Sequence, residues 1–271
     1  MSFDDPQASA NSLLDWYALS GVDVGQARAG LKGAPRAAPA VEQRAEAVRP
    51  TARTPAKSAA PRAGVAEARA AAAAAKTLTE LKAAIESFDG CELKRTARNT
   101  VFADGVESAE VMLVGEAPGR DEDEQGKPFV GRAGQLLDKM FAAIGYNRQT
   151  NLFITNVIFW RPPGNREPTP GELAPCMPFI ERAIELKAPK LLVFVGGVAA
   201  KTMLATDQGV MRLRGQKKIY KPSQGPDVNA MVMLHPAYLL RRPQDKRLAW
   251  NDLLAFEQWA DELGVKGGPR L

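Results

Sequence analysis

The chain has 271 residues, of which 45% are hydrophobic and 25% are charged, a composition typical of a folded protein of one or two domains. No apolar run approaches the roughly 20 residues that a membrane-spanning helix needs, and the N-terminus lacks the basic and apolar regions of a signal peptide. We therefore expect a cytoplasmic protein. Two cysteines, Cys91 and Cys176, are too few for a disulfide framework, and His235 is the only histidine.

The formal net charge of +5 is distributed unevenly along the chain. Residues 28–76 carry ten Lys or Arg and three Glu, so this segment accounts for +7 and the remainder for about −2. A basic protein is a candidate for binding nucleic acid, but here the excess charge lies outside the part with a globular composition.

The sequence pattern divides the chain into three parts. Residues 1–24 contain a short amphipathic helical pattern that ends at Gly21. Residues 25–75 consist mainly of Ala, Pro, Arg and Gly, with almost no large apolar side chain to offset the entropy of ordering. We therefore expect a disordered basic linker there, followed by a folded domain over residues 76–271.

Four short apolar runs in the predicted domain have the length and the flanking residues of buried β-strands. The runs are VMLVG from Val111, LFITNV from Leu152, KLLVFVG from Lys190 and AMVMLH from Ala230. Amphipathic helical patterns separate them, and one more closes the chain. Because strands and helices alternate, we expect an α/β fold, a three-layer α/β/α sandwich around a central four-stranded, mainly parallel sheet.

The carboxyl end of each predicted strand leads into a polar or glycine-rich element. The first run ends in Gly115, the second near Asn156, the third in Gly196, and His235 follows the fourth. Ligands of open parallel sheets bind outside the carboxyl ends of the strands. We therefore expect these four elements to form one site.

Three long motifs carry these elements. They are GEAPGRDEDEQGKPFVGRAGQLL from Gly115, TNVIFWRPPGNREPTP from Thr155 and HPAYLLRRP from His235. Together they resemble the family 4 uracil-DNA glycosylases, within the wider uracil-DNA glycosylase superfamily, and the resemblance covers roughly residues 76–260. It implies an enzyme of base excision repair that flips uracil out of DNA, hydrolyses its N-glycosidic bond, and leaves an abasic site and free uracil.

The uracil-binding residues that the resemblance implies are Gly115, Ala117, Phe129 and Asn156. Phe129 would stack on the flipped base, although it could also be an ordinary core phenylalanine. The Asn156 amide could accept a hydrogen bond from uracil N3 and donate one to O4, whereas cytosine presents the reverse pattern. An asparagine that caps a strand end is the alternative. Glycine at position 115 would let the backbone approach the base closely.

Three residues are candidate catalytic groups. We expect Glu116 to orient or deprotonate the attacking water and to offset the positive charge that develops on the sugar. Glu122 is the rival carboxylate, because its acidic run matches the family pattern, although such runs are usually solvated. By resemblance, His235 would donate a hydrogen bond to uracil O2 and stabilise the departing base.

The segment after His235 combines apolar side chains with arginines, as expected of a loop that enters the minor groove of DNA. We expect Leu239 or Leu240 to fill the space that the flipped nucleotide vacates. The candidate DNA contacts are Tyr238, Leu239, Leu240, Arg241 and Arg161, with Arg166 and Arg242 as further phosphate ligands.

The enzymes that this chain resembles hold a four-iron four-sulfur cluster with four cysteines. At the corresponding positions this chain has Phe88, Cys91, Trp160 and Cys176. Two thiols are too few for such a cluster. We therefore expect no metal cofactor, and we expect Phe88 and Trp160 to fill the vacated volume.

Three other functions remain open at this point: a uracil- or abasic-site-binding protein without turnover, a hydrolase of free nucleosides, and a scaffold that binds a protein partner through residues 8–20. The presence of both Glu116 and His235 favours an enzyme. The arginine-rich loop and the basic linker favour DNA over a free nucleoside, because Lys and Arg bind phosphates. We expect a monomer.

Overall fold

The computed structural model of the chain describes residues 15–18, 21 and 60–270. Contacts divide the chain into two units, residues 1–60 and 61–271. In the first unit residues 15–18 are helical, with Trp16 and Tyr17 buried, and the rest of the predicted helical segment and most of the predicted linker lie outside the described residues. None of the helices in the described part of the chain combines the length and the hydropathy that a membrane-spanning segment requires.

A six-stranded sheet forms the centre of the second unit, in the order β1-β3-β2-β4-β6-β5. Its strands are β1 (Ala103–Gly105), β2 (Val111–Gly115), β3 (Leu152–Asn156), β4 (Leu191–Val195), β5 (Lys218–Tyr220) and β6 (Val228–Met233). The four inner strands are parallel, and the two edge strands are antiparallel to their neighbours. The inner strands are the four predicted ones.

The predicted strand count of four is too low, because β1 and β5 lack the apolar pattern from which the other strands were predicted. Each edge strand has only three residues and lies partly exposed, so neither forms a continuous apolar run. By contrast, every residue of β2, β3 and β4 is buried, as expected of strands covered on both faces.

Helices cover both faces of the sheet and complete the predicted three-layer sandwich. They are α1 (Ala60–Ala74), α2 (Leu78–Ser87), α3 (Arg120–Gln125), α4 (Arg132–Ala142), α5 (Pro170–Leu173), α6 (Met177–Lys187), α7 (Gly197–Met203), α8 (Val210–Leu213), α9 (Pro236–Arg241) and α10 (Lys246–Glu262). On one face α1, α2 and α6 share a core with alternate residues of the inner strands. On the other face α10 packs against β6 and α4, and the rings of Phe141 and Phe256 meet edge to face at 5.6 Å.

The structure differs from the predicted linker at residues 60–75, because α1 belongs to the folded unit. Ala68, Ala72 and Ala75 are buried in the shared core, and Arg182 of α6 donates from Nε and Nη2 to the carbonyl of Ala75 at 3.0 and 2.7 Å. Alanine has the highest helix propensity and fits where larger side chains do not. The absence of large apolar residues therefore does not exclude order here, and the folded unit begins near residue 61 rather than at 76.

The burial of α1 predicts a selective effect of charge on stability. Ala68→Glu places a carboxylate in the apolar core, and we expect the free energy of unfolding to fall by about 3 kcal/mol. Ala70→Glu, on the exposed side of the same helix, should change it by less than about 0.5 kcal/mol. Thermal or urea unfolding measures both, and equal effects would mean that α1 does not pack on the core.

Candidate active site

The carboxyl ends of the inner strands meet at one edge of the sheet, as the sequence predicts. Gly115 at the end of β2 lies in register with Asn156 at the end of β3. Gly196 follows β4, and a Cβ there would lie 3.0 Å from the Cβ of His235, which follows β6. Asn156, Glu116 after β2 and His235 after β6 line a cavity of about 540 Å³ at this edge. Its walls include the predicted site residues Glu116, Ala117, Glu122, Phe129, Asn156, His235, Tyr238 and Arg241.

Gly115 is the point of closest approach between the strand ends and the cavity side chains. A Cβ at this position would lie 2.3 Å from Asn156 Oδ1 and 2.5 Å from Phe129 Cζ, distances that no side chain can accept. Gly115 is itself buried and does not line the cavity. Its part in the site is therefore to leave room for the amide and the ring.

The Asn156 side chain carries an unpaired acceptor. The residue is 1% exposed, and Oδ1 is buried without a hydrogen-bond partner among the described residues. A buried polar atom without a partner costs about 1–3 kcal/mol. A ligand that brings an N–H to this atom would recover that free energy, which is typical of a recognition site.

The Phe129 ring forms one wall of the cavity in an unusual backbone conformation. Its φ is +54°, in the left-handed region that costs a non-glycine residue about 1–3 kcal/mol and that occurs mainly at functional sites. The ring is 5% exposed and its centroid lies 5.7 Å from that of the His235 ring. The sequence identified the ring but gave no indication of its backbone conformation.

Glu116 is a partly buried carboxyl group whose pKa is raised to about 7. Burial disfavours the charged form, and the nearby negative charge of Glu167 acts in the same direction. No hydrogen bond from a described residue contributes to the pKa of this carboxyl group. Near neutral pH the group is therefore able both to accept a proton and to release one, as a general base requires.

His235 is held as a neutral imidazole. Burial and the positive charge of Arg241 lower its pKa to about 4. Its Nδ1 accepts a hydrogen bond from the backbone N–H of Ala237 at 3.1 Å, so in the neutral ring the proton resides on Nε2. A neutral N–H donor is thus available on the other side of the ring.

Glu122 is occupied by backbone hydrogen bonds. Its Oε1 accepts from the N–H groups of Val130 and Gly131, both at 2.9 Å, and its Oε2 accepts from Gly119 N–H at 3.1 Å. The carboxylate thus joins the turn after β2 to the segment that carries Phe129. Glu122 is therefore placed to hold these two segments together, whereas the carboxylate of Glu116 makes no such hydrogen bonds to the backbone of the described residues.

The predicted DNA-contacting residues divide into exposed and internal ones. Leu239 is fully buried, so it is not available to enter DNA, whereas Leu240 is 37% exposed. Arg241 lines the cavity, and Tyr238 donates its hydroxyl hydrogen to Asp245 at 2.6 Å. Arg161 lies outside the cavity and donates to Asn165 Oδ1 at 2.6 Å.

Two arginines that line the cavity were not among the predicted site residues. Arg120 and Arg132 line it at the N-terminal ends of α3 and α4. Arg120 pairs with Glu124 at 3.0 Å on the surface. Both residues lie inside the first motif, and their positions at helix starts next to the strand-end loops were the available signal.

The residues at the four cluster positions do not fit an iron-sulfur cluster. Cys91 and Cys176 are buried, and a hydrogen bond from the Cys176 thiol to Cys91 Sγ lowers the pKa of Cys91 and raises that of Cys176. At the other two positions Phe88 stacks on Trp160 with 6.4 Å between ring centroids. Among the described residues, no group of three or more His, Cys, Asp or Glu is arranged to hold a metal ion.

Comparisons with known proteins identify the family of the chain. Residues 102–254 match the model of the uracil DNA glycosylase superfamily. The chain is 40% identical to a type-4 uracil-DNA glycosylase of Archaeoglobus fulgidus, over 62% of this chain and 86% of that protein. It is 36% identical to one of Pyrobaculum aerophilum, over 66% and 92% of the two chains. The chain therefore belongs to the uracil DNA glycosylase superfamily and groups with its type-4 members.

Proposed function

We propose that the chain is a uracil-DNA glycosylase that flips uracil out of DNA and hydrolyses its N-glycosidic bond, leaving an abasic site and free uracil. The observation that carries the proposal is the buried, unpaired Oδ1 of Asn156 in a cavity that also contains the Phe129 ring. A pocket for a flipped base needs one aromatic surface and one polar edge. The type-4 relatives support the same substrate.

Asn156 selects uracil in this proposal. Its Oδ1 accepts from uracil N3–H, its Nδ2 donates to O4, and Phe129 stacks on the ring. Cytosine offers an acceptor at N3 and a donor at C4, so both contacts would become repulsive and leave buried groups unpaired. Glu116 and Ala117 complete the wall of the pocket.

Glu116 and His235 divide the charges of the reaction. As the bond breaks, the sugar gains positive charge and the departing uracil gains negative charge. Glu116, in its ionised form, orients or deprotonates the attacking water and stabilises the sugar. His235 remains neutral and donates its Nε2 hydrogen to uracil O2. Glu122 serves as a positioning residue that fixes the turn carrying Glu116.

The DNA-binding surface surrounds the cavity mouth. Leu240 is the side chain we propose to insert into the vacated stack, and Arg241, Arg120 and Arg132 are placed to contact phosphates. Leu239 contributes to the core beneath them. The predicted monomeric state, the cytoplasmic localisation and a protein partner for residues 8–20 stay predictions.

We further propose that the enzyme acts without an iron-sulfur cluster. Phe88 and Trp160 form a stacked pair. The ring centroid of Phe88 lies 5.2 Å from that of Phe179, and the ring centroid of Trp160 lies 6.0 Å from that of Phe159. All four rings are buried. Apolar packing therefore provides the bracing in this region that a cluster provides through its thiolate bonds.

The raised pKa of Glu116 predicts a specific pH dependence. The ionised carboxylate is the active form, so kcat/KM on uracil-containing DNA should rise with pH through about 7 and then level off. Glu116→Gln should lower kcat by about 100-fold or more and remove this rise.

Glu167→Gln is the matched control for this pH profile. It removes the neighbouring negative charge, so the pKa of Glu116 falls and the rise should move to lower pH at an unchanged plateau. A profile that keeps its rise in the Glu116→Gln variant would assign the titration to another group.

Removal of the Asn156 amide should reduce uracil recognition. Asn156→Ala loses up to two hydrogen bonds, and we expect kcat/KM to fall by roughly 10- to 100-fold. Asn229→Ala, in β6 with its amide bonded to the Lys190 carbonyl, should leave it unchanged. Excision is measured by alkaline cleavage of oligonucleotides with a single uracil. Retained uracil-dependent binding without cleavage in the wild type would instead identify a binding protein.

The absence of a cluster predicts that the thiols are dispensable for activity. The purified protein should contain no stoichiometric iron or sulfide, and a Cys91→Ala, Cys176→Ala double variant should excise uracil within about threefold of the wild type where it is folded. Metal analysis and visible absorption test the first statement. A cluster whose removal abolishes excision would refute the proposal.

A further inference from the structure

The strained Phe129 backbone requires groups that hold it in place, and one largely buried arginine binds two consecutive carbonyls of this segment. We infer that Arg148 is a positioning residue for uracil binding, which holds Phe129 in its left-handed conformation so that the ring is ready to stack. This inference rests on the proposed function, because it concerns the site at which the flipped base would bind.

All five N–H bonds of the Arg148 guanidinium have acceptors. Nη2 donates to the Phe129 carbonyl at 2.7 Å and Nη1 to the Pro128 carbonyl at 3.0 Å. The remaining three bonds reach carboxylates: Nε and Nη2 donate to Asp138 Oδ1 at 3.0 and 2.9 Å, and Nη1 donates to Asp104 Oδ2 at 3.0 Å. The side chain is 10% exposed. Arginine alone has five donors in one plane for such a set.

The two carboxylates anchor the guanidinium to regular secondary structure. Asp104 belongs to β1 at the sheet edge and Asp138 to α4. Arg148 itself lies in a turn that is closed by hydrogen bonds from Asn147 N–H to Asn151 Oδ1 at 2.8 Å and from Asn151 Nδ2 to the Gly145 carbonyl at 3.0 Å. The guanidinium that contacts Phe129 is therefore anchored to a strand and a helix.

Other groups also hold the segment around Phe129. Glu122 binds the N–H groups of Val130 and Gly131. A Cβ on Gly134 would lie 1.9 Å from the Phe129 carbonyl oxygen, so the first turn of α4 is in direct contact with that carbonyl. Two consecutive carbonyls and the following two N–H groups are thus all constrained. Such a loop preserves a strained backbone because no relaxed alternative keeps these bonds.

A double-mutant cycle on Arg148 and Phe129 tests this inference. Arg148→Met should raise the inhibition constant of free uracil by about tenfold and lower the single-turnover excision rate by about 100-fold, because a displacement of about 1 Å is sufficient for such losses. For Arg148→Lys, the inhibition constant and the excision rate should lie between those of Arg148→Met and the wild type, because an ammonium has three donors. With Phe129→Ala already present, Arg148→Met should change both quantities by less than about twofold.

Arg214→Met is the matched control for lost stability. Arg214 is a similarly buried arginine that pairs with Asp252 at 2.6 Å and donates to the Leu248 carbonyl, away from the cavity. Arg214→Met should lower the melting temperature without changing the uracil inhibition constant or the single-turnover excision rate by more than about twofold. Equal losses in both variants would make Arg148 a stability residue only.

Gly134→Ala tests the same loop without any change to the arginine. Alanine favours a helix over glycine, yet its Cβ must displace the Phe129 carbonyl, so we expect the same loss of uracil inhibition as in Arg148→Met. Additive effects in the cycle would overturn the inference while leaving the proposed function intact. A Phe129→Ala variant with unchanged uracil inhibition would instead refute the stacking site of the proposed function.

Discussion

The close approach at Gly115 is the constraint on which the site depends. The end of β2 lies next to the end of β3 through the ordinary register of a parallel sheet, which brings the Asn156 amide to the same place as the Phe129 ring. Only a residue without a side chain fits between them. The cavity is therefore shaped by a backbone surface, an amide and a ring, and each of these depends on the other two.

The ionisable groups around this contact differ in the hydrogen bonds that they receive and in the effect of burial on their pKa values. Glu122 accepts hydrogen bonds from three backbone N–H groups, so its carboxylate holds two segments of the cavity wall together. Glu116 has no such donors, and its pKa rises because its charge is poorly solvated. His235 has its pKa lowered for the same reason. Burial at the same site thus provides a carboxyl group that titrates near neutral pH and an imidazole that stays neutral.

Support for these groups comes from packing at some distance from the cavity. On one side of the sheet, the rings of Phe88, Trp160 and Phe179 fill a buried volume next to Cys91 and Cys176. Burial of each large ring contributes about 2–3 kcal/mol to the packing of this region. On the other side, the Arg148 network joins β1 and α4 to the Phe129 segment.

The sequence by itself determined the inner sheet, the order of its strands along the chain and the residues at their carboxyl ends, because continuous apolar runs and long motifs are local signals. It therefore predicted Glu116, Phe129, Asn156 and His235 as one site. Tertiary structure decided the features that depend on contacts distant in sequence. The edge strands exist only by pairing with their neighbours, and α1 is ordered by the core against which it packs. Likewise, the burial of Leu239, the backbone role of Glu122 and the five bonds of Arg148 follow from where the chain folds back on itself, which no local pattern encodes.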